Sequence, residues 1–362
     1  MRVNRRRLLA AAGSSAALAA CSAPPPAAAP SAAVPQPRAV SHPAGVLAPA
    51  PSSTLLVAYD VTAPDRAALA GTLRAVTDRL AGATATVAVG ASLFDHRYGL
   101  RRPRLLEPMP AFRADVLDPA WCHGDLLVQV FADDPGKAEA LLAGPLPGLR
   151  QRWRMAGFHP SASSGYRHES RRAVTAGDGE VRNLFGFREG AGNPDAADPA
   201  LMDQLVWVQP GDGEPEWCAG GTYQVVRLIR LAMPTWDGEQ EQEHERVFGR
   251  DKDTGAPLGK TAETDDPGYA ADPDGQAIAL DAHIRRANPR TQESQAHRIL
   301  RRGYSYRRKP DDLGQIFICY QRDVEAGFAT IQRRLAGEAL ERYTLPFGGG
   351  YYFVPATLNA LG

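Results

Sequence analysis

The sequence DAHIRRANPRTQESQAHRILRRGYSY, residues 281–306, joins a helical pattern, a proline break and a run of basic and aromatic residues. His283 lies at the edge of an apolar stripe, and Asn288-Pro289 must end the helix because proline has no amide hydrogen and restricts the residue before it. Taken alone, this pattern favours a structural histidine packed in the core over a metal ligand. The stripe itself predicts a helix through Ala277, Leu280, Ile284 and Ala287.

A second stretch, GFREGAGNPD at residues 186–195, supplies a carboxylate in a glycine-rich loop. Glycine lets bare backbone approach a flat ligand closely, and Glu189 stands among three glycines. In isolation the stretch reads as a surface turn that carries an acid. With His283 and the distant cation Arg301 in the same chain, it is also compatible with an acid at a cofactor site.

Four motifs together resemble the dye-decolourising peroxidases, and specifically the exported branch that is linked to iron transport. The resemblance covers nearly the whole chain after about residue 54. It implies an α+β fold of two ferredoxin-like halves, with antiparallel sheets and helices packed around a haem pocket. The motifs are GFREG (186–190), AHIRRANPR (282–290), LRRGYSY (300–306) and GGGYYFVP (348–355).

The same resemblance implies one haem b per chain and gives several residues a role. His283 matches the iron ligand, and Arg301 matches an arginine on the opposite side of the haem that stabilises developing charge. Glu189 stands where the family normally has aspartate, as the acid that transfers a proton during peroxide cleavage. Arg290 has the alternative of a surface salt bridge. The haem-lining residues implied are Gly190, Ala191, Gly192, Asn288, Pro289 and Arg290.

The function implied is a haem peroxidase that reduces hydrogen peroxide and oxidises electron-rich organic compounds. An alternative is an exported haem-binding protein that releases iron from haem, because iron release has been proposed for this branch. A third interpretation is a cofactor-free α+β interaction module. Glu189 distinguishes the first two functions. If its longer side chain still places the carboxylate on the peroxide side of the haem, peroxidase chemistry is expected; if it does not, haem binding is favoured.

The N-terminus predicts export. Three arginines at 5–7 precede an apolar run to Ala20 that is too short to span a bilayer but typical of a twin-arginine signal peptide. Residues 1–21 are therefore predicted to be the signal, with Cys21 lipidated at the periplasmic or extracellular face. Conventional cleavage near Ala29 is the competing interpretation. Residues 22–53 are rich in Ala, Pro and Ser and predict an extended tether.

The composition is that of a globular domain, and it gives no indication of a polyanionic partner. The 41 basic residues balance 41 acidic ones, which gives no support for nucleic-acid binding. Residues 54–200 and 201–362 are predicted to be the two ferredoxin-like halves. Cys122, Cys218 and Cys319 are widely spaced and predict buried thiols, with at most one disulfide. Membrane components of iron uptake and a second copy of the chain are further expected partners.

Local patterns predict alternating strands and helices in both halves. Residues 248–274 predict a long ordered loop. The predicted strands are 54–59, 84–89, 126–132, 205–208, 223–232, 315–320 and 351–354, and the predicted helices are 64–80, 137–142, 236–247 and 324–335.

Overall fold

A computed structural model describes residues 41–160 and 181–361. The predicted signal peptide, Cys21 and tether residues 22–40 lie outside the described residues. The strands are β1 (Ser53–Val61), β2 (Thr84–Gly90), β3 (Leu126–Ala132), β4 (Leu149–Phe158), β5 (Thr222–Leu231), β6 (Leu300–Arg301), β7 (Tyr304–Lys309), β8 (Asp312–Gln321) and β9 (Thr344–Val354). The α-helices are α1 (Ala44–Leu47), α2 (Arg66–Arg79), α3 (Pro135–Leu141), α4 (Pro199–Leu205), α5 (Met233–Asp237), α6 (Glu241–Phe248), α7 (His283–Ala287), α8 (Gln292–Gln295) and α9 (Thr330–Leu335). A π-helical turn, Glu325–Ala329, precedes α9, and 3₁₀ turns occupy Ala91–Phe94, Pro119–Trp121, Glu216–Cys218, Tyr269–Ala271, Ala339–Tyr343 and Leu358–Leu361.

Two antiparallel sheets join into one closed arrangement. In the first half the strand order is β4-β1-β3-β2, and in the second it is β9-β5-β8-β7, with β6 also paired to β8. Each order is the antiparallel 4-1-3-2 arrangement of a ferredoxin-like unit. The pairs β2–β9 and β4–β7 link the two sheets, and β5 pairs with both β8 and β9. The predicted α+β fold of two ferredoxin-like halves is confirmed. The division between residues 200 and 201 stays a prediction.

Central strands and amphipathic helices follow from the local sequence. β1 and β3 consist almost entirely of buried residues, as expected for strands covered on both faces. The helix α2 begins at Asp65, whose carboxylate accepts the amide hydrogen of Ala68 at 2.8 Å. Its buried face, which includes Leu69, Leu73 and Val76, packs against the outer side of the first sheet. The two faces of the closed sheet therefore belong to separate cores.

The folded part begins earlier than predicted. Within the segment predicted to be a tether, residues 44–47 form α1, and Val46 is fully buried in the core inside the closed sheet. His42 stacks on Trp207 with ring centroids 4.3 Å apart, and Arg302 donates a hydrogen bond to the Val46 carbonyl at 2.9 Å. The tether was predicted from the average composition of residues 22–53, which does not show that a few of these residues pack against the folded domain.

Four local predictions were wrong because tertiary packing overrides short patterns. Residues 205–208 are not a strand, since α4 ends at Leu205 and the following residues enter the core without pairing in the sheet. The helix predicted over 236–247 is two helices separated at Gly238, and that over 324–335 begins as a π-helical turn. The helix predicted through Ala277 and Leu280 begins only at His283, and Leu280 is 54% exposed.

The three cysteines of the described part are buried free thiols, as predicted. Burial raises the pKa of each thiol, which keeps it protonated. His244 is 5% exposed and stacks on Trp236. Among residues 41–160 and 181–361, no helix combines the length and apolar character that crossing a bilayer requires.

Candidate functional site

A cavity of about 290 Å³ lies on the outer face of the second sheet, between β5 and β8 and the segments that cover them. Small-molecule and cofactor pockets begin at about this size. The cover consists of the loop that carries Glu189, together with α6, α7 and α9. Its apolar lining includes Phe185, Phe187, Ile229, Phe248, Phe317 and Phe328.

His283 enters the cavity as the first residue of α7. Asn288 ends this helix in an extended conformation, as the following proline requires and as predicted. The Nδ1 atom of His283 lies 2.6 Å from the Oε2 atom of Glu338, whose side chain is only 9% exposed. Because a carboxylate only accepts, Nδ1 carries the hydrogen and Nε2 keeps a free lone pair. The imidazole is thus prepared to bind a metal through Nε2.

Glu189 lines the same cavity and is otherwise enclosed by protein. Gln315 on β8 donates from Nε2 to the Oε1 atom of Glu189 at 3.2 Å. Burial raises the pKa of Glu189, while the Arg301 charge and hydrogen bonds from Asn183 and Gln315 lower it, and the net direction is upward. Despite its extra methylene, Glu189 therefore still lines the cavity. Its buried carboxyl group keeps a proton to higher pH than an exposed glutamate does.

Arg301 on β6 is fixed to the loop that carries Glu189. Its Nε donates to the Oδ1 atom of Asn193 at 3.2 Å, its Nη2 donates to the carbonyl of Ala191, and Asn193 Nδ2 donates to the Arg301 carbonyl at 2.9 Å. Burial lowers the pKa of Arg301, and the nearby Glu189 carboxylate opposes that effect. The two charged groups are therefore held beside each other at one cavity wall.

Most of the remaining predicted residues line the cavity. Ala191, Gly192, Asn288 and Arg290 do so, whereas Gly190 and Pro289 are not among its lining residues. Gly190 has a φ of 90°, which permits the turn that brings Glu189 inward.

Several further residues of the candidate site were not predicted from the sequence. Glu338 follows His283 by more than 50 residues, so no local pattern connects the two. Asn193 lies in the glycine-rich motif but received no role. Arg250 and Arg298 also line the cavity, and the Nε atom of Arg298 is buried without a hydrogen-bond partner among the described residues.

This donor set fits an iron porphyrin. One imidazole nitrogen is free for iron, apolar side chains line much of the cavity, and arginines at the cavity wall suit anionic substituents. Arg250, Arg290 and Arg298 have no carboxylate within ion-pair distance among the described residues, and the buried Nε atom of Arg298 calls for an acceptor. Fold and cavity thus define a haem-dependent oxidoreductase built from two ferredoxin-like halves.

Comparisons with known proteins agree. The family profile described as Dyp-type peroxidase, C-terminal, matches residues 180–359, and the one described as Dyp-type peroxidase, N-terminal, matches residues 78–146. A protein named Deferrochelatase from Shigella flexneri serotype 5b is 42% identical over 360 residues, covering 88% of this chain and 83% of the relative. The chain belongs to the Dyp-type peroxidase family.

Solved structures give the same result. The DyP-type peroxidase from Cellulomonas bogoriensis is 35% identical, with a TM-score of 0.75 over 89% of this chain and 96% of the other. Ferric DtpA from Streptomyces lividans is 31% identical, with a TM-score of 0.73 over 87% and 91%. The chain is therefore a haem peroxidase, as predicted, and the cofactor-free alternative is set aside.

Proposed function

We propose that His283 is the iron ligand of this peroxidase, that Glu189 transfers the proton of hydrogen peroxide, and that Arg301 stabilises charge on it. The observation that carries the proposal is the convergence of these three side chains on one cavity, with Glu338 hydrogen-bonded to His283. Haem, when bound, supplies the iron that binds peroxide and accepts its oxidising equivalents.

Glu189 performs the proton transfer. In its ionised form it would take the proton from one peroxide oxygen and return it to the other, which would leave as water. Gln315 fixes the carboxylate by donating to Oε1. Because burial raises the pKa of Glu189, its ionised form is a stronger base than an exposed carboxylate and takes up the peroxide proton more readily.

Arg301 provides fixed positive charge next to that reaction. Its guanidinium is oriented by Asn193 and by the Ala191 carbonyl, so it does not need to reorganise as negative charge develops. The apolar walls exclude water, which strengthens this interaction. On the other side, Glu338 keeps the His283 ring in one orientation and increases its basicity toward iron.

Stopped-flow absorbance of the haem-loaded protein with stoichiometric peroxide tests the assignment. The native protein and Glu189→Asp should both react quickly, and Glu189→Gln should be slower by about 10²–10⁴-fold, the usual contribution of a positioned acid or base. His283→Ala should lose haem or its normal ligation spectrum. A Glu189→Gln variant that reacts at the native rate would remove the proton-transfer role.

A second candidate activity is release of iron from haem. Its support is the 42% identity to proteins named Deferrochelatase. Release replaces the iron by two protons on the porphyrin nitrogens, so metal-free porphyrin and chelatable iron should appear in equal amounts. Anaerobic incubation of the protein with dithionite-reduced, ferrous haem and a ferrous chelator tests this. Haem degraded to open-chain products, or left intact, would exclude it.

We further propose export by the twin-arginine route to the periplasmic or extracellular face, with lipid attachment at Cys21. The support is the basic and apolar pattern of residues 1–20 and the Cys21 position that follows it. Replacing Arg5, Arg6 and Arg7 by lysine should leave the protein in the cytoplasm. Cys21→Ala should release exported protein from the membrane fraction, and unchanged membrane association would favour cleavage near Ala29 without lipidation.

Association with membrane components of iron uptake and with a second copy of the chain completes the proposal. The support for the first is the similarity to Deferrochelatase proteins, and the resemblance of the sequence motifs supports the second. Sedimentation of the haem-loaded protein tests the homodimer. Cross-linking in membranes of the native host tests the uptake partner, and recovery of the chain without any membrane protein would count against it.

A further inference from the structure

The helix α7 carries a second side chain that reaches the turn bearing Glu338. Arg286 follows His283 by about one helical turn, so both residues lie on the same side of α7. Its Nη1 atom donates to the carbonyl of Ala336 at 2.6 Å, and its Nε donates to the Leu280 carbonyl at 3.4 Å. Arg286 thus links the helix of the imidazole to the turn of the carboxylate.

That turn is held at several further points. Gly337 adopts a φ of 80°, which favours glycine, and its amide donates to the Oε1 atom of Glu341 at 2.6 Å. The amide of Glu338 donates to the Leu335 carbonyl at 2.9 Å, and that of Ala339 donates to the Asp281 carbonyl at 3.0 Å. The carboxylate of Glu338 is therefore placed by backbone contacts on both sides of it.

We infer that Arg286 is a positioning residue, which fixes the hydrogen bond between His283 and Glu338 and through it tunes the iron. The inference rests on the proposed role of His283 as the iron ligand. A short bond from Nδ1 to a carboxylate gives the imidazole more anionic character, and this stabilises ferric over ferrous iron. Loss of the Arg286 contact lets the turn move away, and the iron becomes easier to reduce.

The neighbouring Arg285 points to a different segment and serves as a matched control. Its guanidinium forms an ion pair with Asp272 at 3.0 Å and donates to the Ile278 carbonyl at 2.8 Å. These contacts hold the loop before α7 and do not involve the turn that carries Glu338. Of these two adjacent arginines on one short helix, only Arg286 therefore contacts the turn that carries Glu338.

The experiment measures the ferric/ferrous midpoint potential and the iron–histidine stretching frequency of the reduced, haem-loaded protein. Arg286→Met should raise the potential and lower the frequency, in the same direction as Glu338→Gln and by a smaller amount. Arg285→Met should change neither. In the Glu338→Gln background, Arg286→Met should produce no further shift, because its effect is transmitted through Glu338.

Additive shifts in the double variant, or equal shifts for Arg285→Met and Arg286→Met, would overturn the inference. Gly337→Ala disturbs the same turn while keeping Arg286, since a Cβ there would lie 3.3 Å from the Nη1 atom of Arg113 and 3.6 Å from that of Arg286, and the φ would be strained. Gly337→Ala should shift the potential in the same direction as Arg286→Met without removing a charge. An unchanged potential in both Gly337→Ala and Arg286→Met would again overturn the inference. If His283→Ala retains normal ligation, the proposed function fails instead.

Discussion

At the scale of single residues, Glu189 combines burial with a nearby guanidinium, and its raised pKa has a consequence for stability. In the unfolded chain the carboxyl loses its proton at the ordinary pKa, whereas in the folded protein it keeps that proton to higher pH. Below the ordinary pKa its contribution to stability is fully present, and it is lost as pH rises through the folded-state pKa. Ionisation of Glu189 therefore opposes folding at neutral pH.

We accordingly expect haem-free Glu189→Gln to be more stable than the native protein at pH 7, with the difference shrinking as pH falls toward 4. Urea unfolding of both proteins across this pH range measures the effect. Gln315→Glu is not a suitable control, because it would add a second buried acid. Glu189→Asp retains ionisation and should follow the native pH dependence. A native protein that is the more stable at pH 7 would contradict the raised pKa.

Asn193 is the residue that orients Arg301, so its removal should affect the peroxide reaction but not haem binding. Asn193→Ala loses the acceptor for Arg301 Nε and the donor to the Arg301 carbonyl. We expect the reaction with peroxide to slow by about 10-fold to 10²-fold, less than for removal of the charge itself. Stopped-flow absorbance measures the rate. Arg301→Leu is the reference variant. If Asn193→Ala reacts at the native rate, the Arg301 guanidinium keeps its orientation without Asn193.

The residues that the sequence revealed and those it did not differ in how they are encoded. His283, Glu189 and Arg301 lie in motifs that resemble a known family, and that resemblance singled them out as candidate site residues. Glu338, Arg298 and Asn193 act through contacts that depend on the folded chain. The orientation of the His283 ring towards Glu338, for example, arises from a turn after α9 that no pattern near His283 specifies.

At the scale of elements, α1 shows that a composition-based prediction overlooks single anchors. Val46 is fully buried, whereas Val116 is 60% exposed, and the two residues allow the same substitution to be compared in both settings. Val46→Ala should lower the free energy of unfolding by about 2 kcal/mol, since it removes buried apolar groups and leaves a cavity. Val116→Ala should change it by less than about 0.5 kcal/mol. Denaturant unfolding measures both, and equal small effects would mean that α1 belongs to the tether after all.

The elements that were predicted well are those whose pattern agrees with their packing. β3 has the bounds that its apolar run predicts, and α2 agrees within two residues. The failures concern the segment before α7 and residues 205–208, where the apolar side chains meet other parts of the chain without regular structure. A stripe such as Ala277 and Leu280 has helical spacing by chance, and Leu280 remains largely exposed.

At the scale of the whole molecule, the two ferredoxin-like halves share one core. Inside the closed sheet, Leu56 and Trp153 of the first half pack in the same cluster as Val226 and Ile318 of the second. The edge strands β2 and β4 are covered by β9 and β7, although these links comprise only two residue pairs and one pair. The family resemblance implied each ferredoxin-like half, and local patterns could not predict the closure because register across the links is set by few residues.

The shared core predicts cooperative unfolding of the chain. A separated first half would expose the apolar inner face of its sheet to water. It would also leave two edge strands without a neighbouring strand. We therefore expect haem-free protein to unfold in one calorimetric transition whose calorimetric and van't Hoff enthalpies agree. Haem should raise the transition temperature by binding only the folded state. Two resolved transitions, with haem shifting only the second, would instead show that residues 54–200 and 201–362 fold as independent domains.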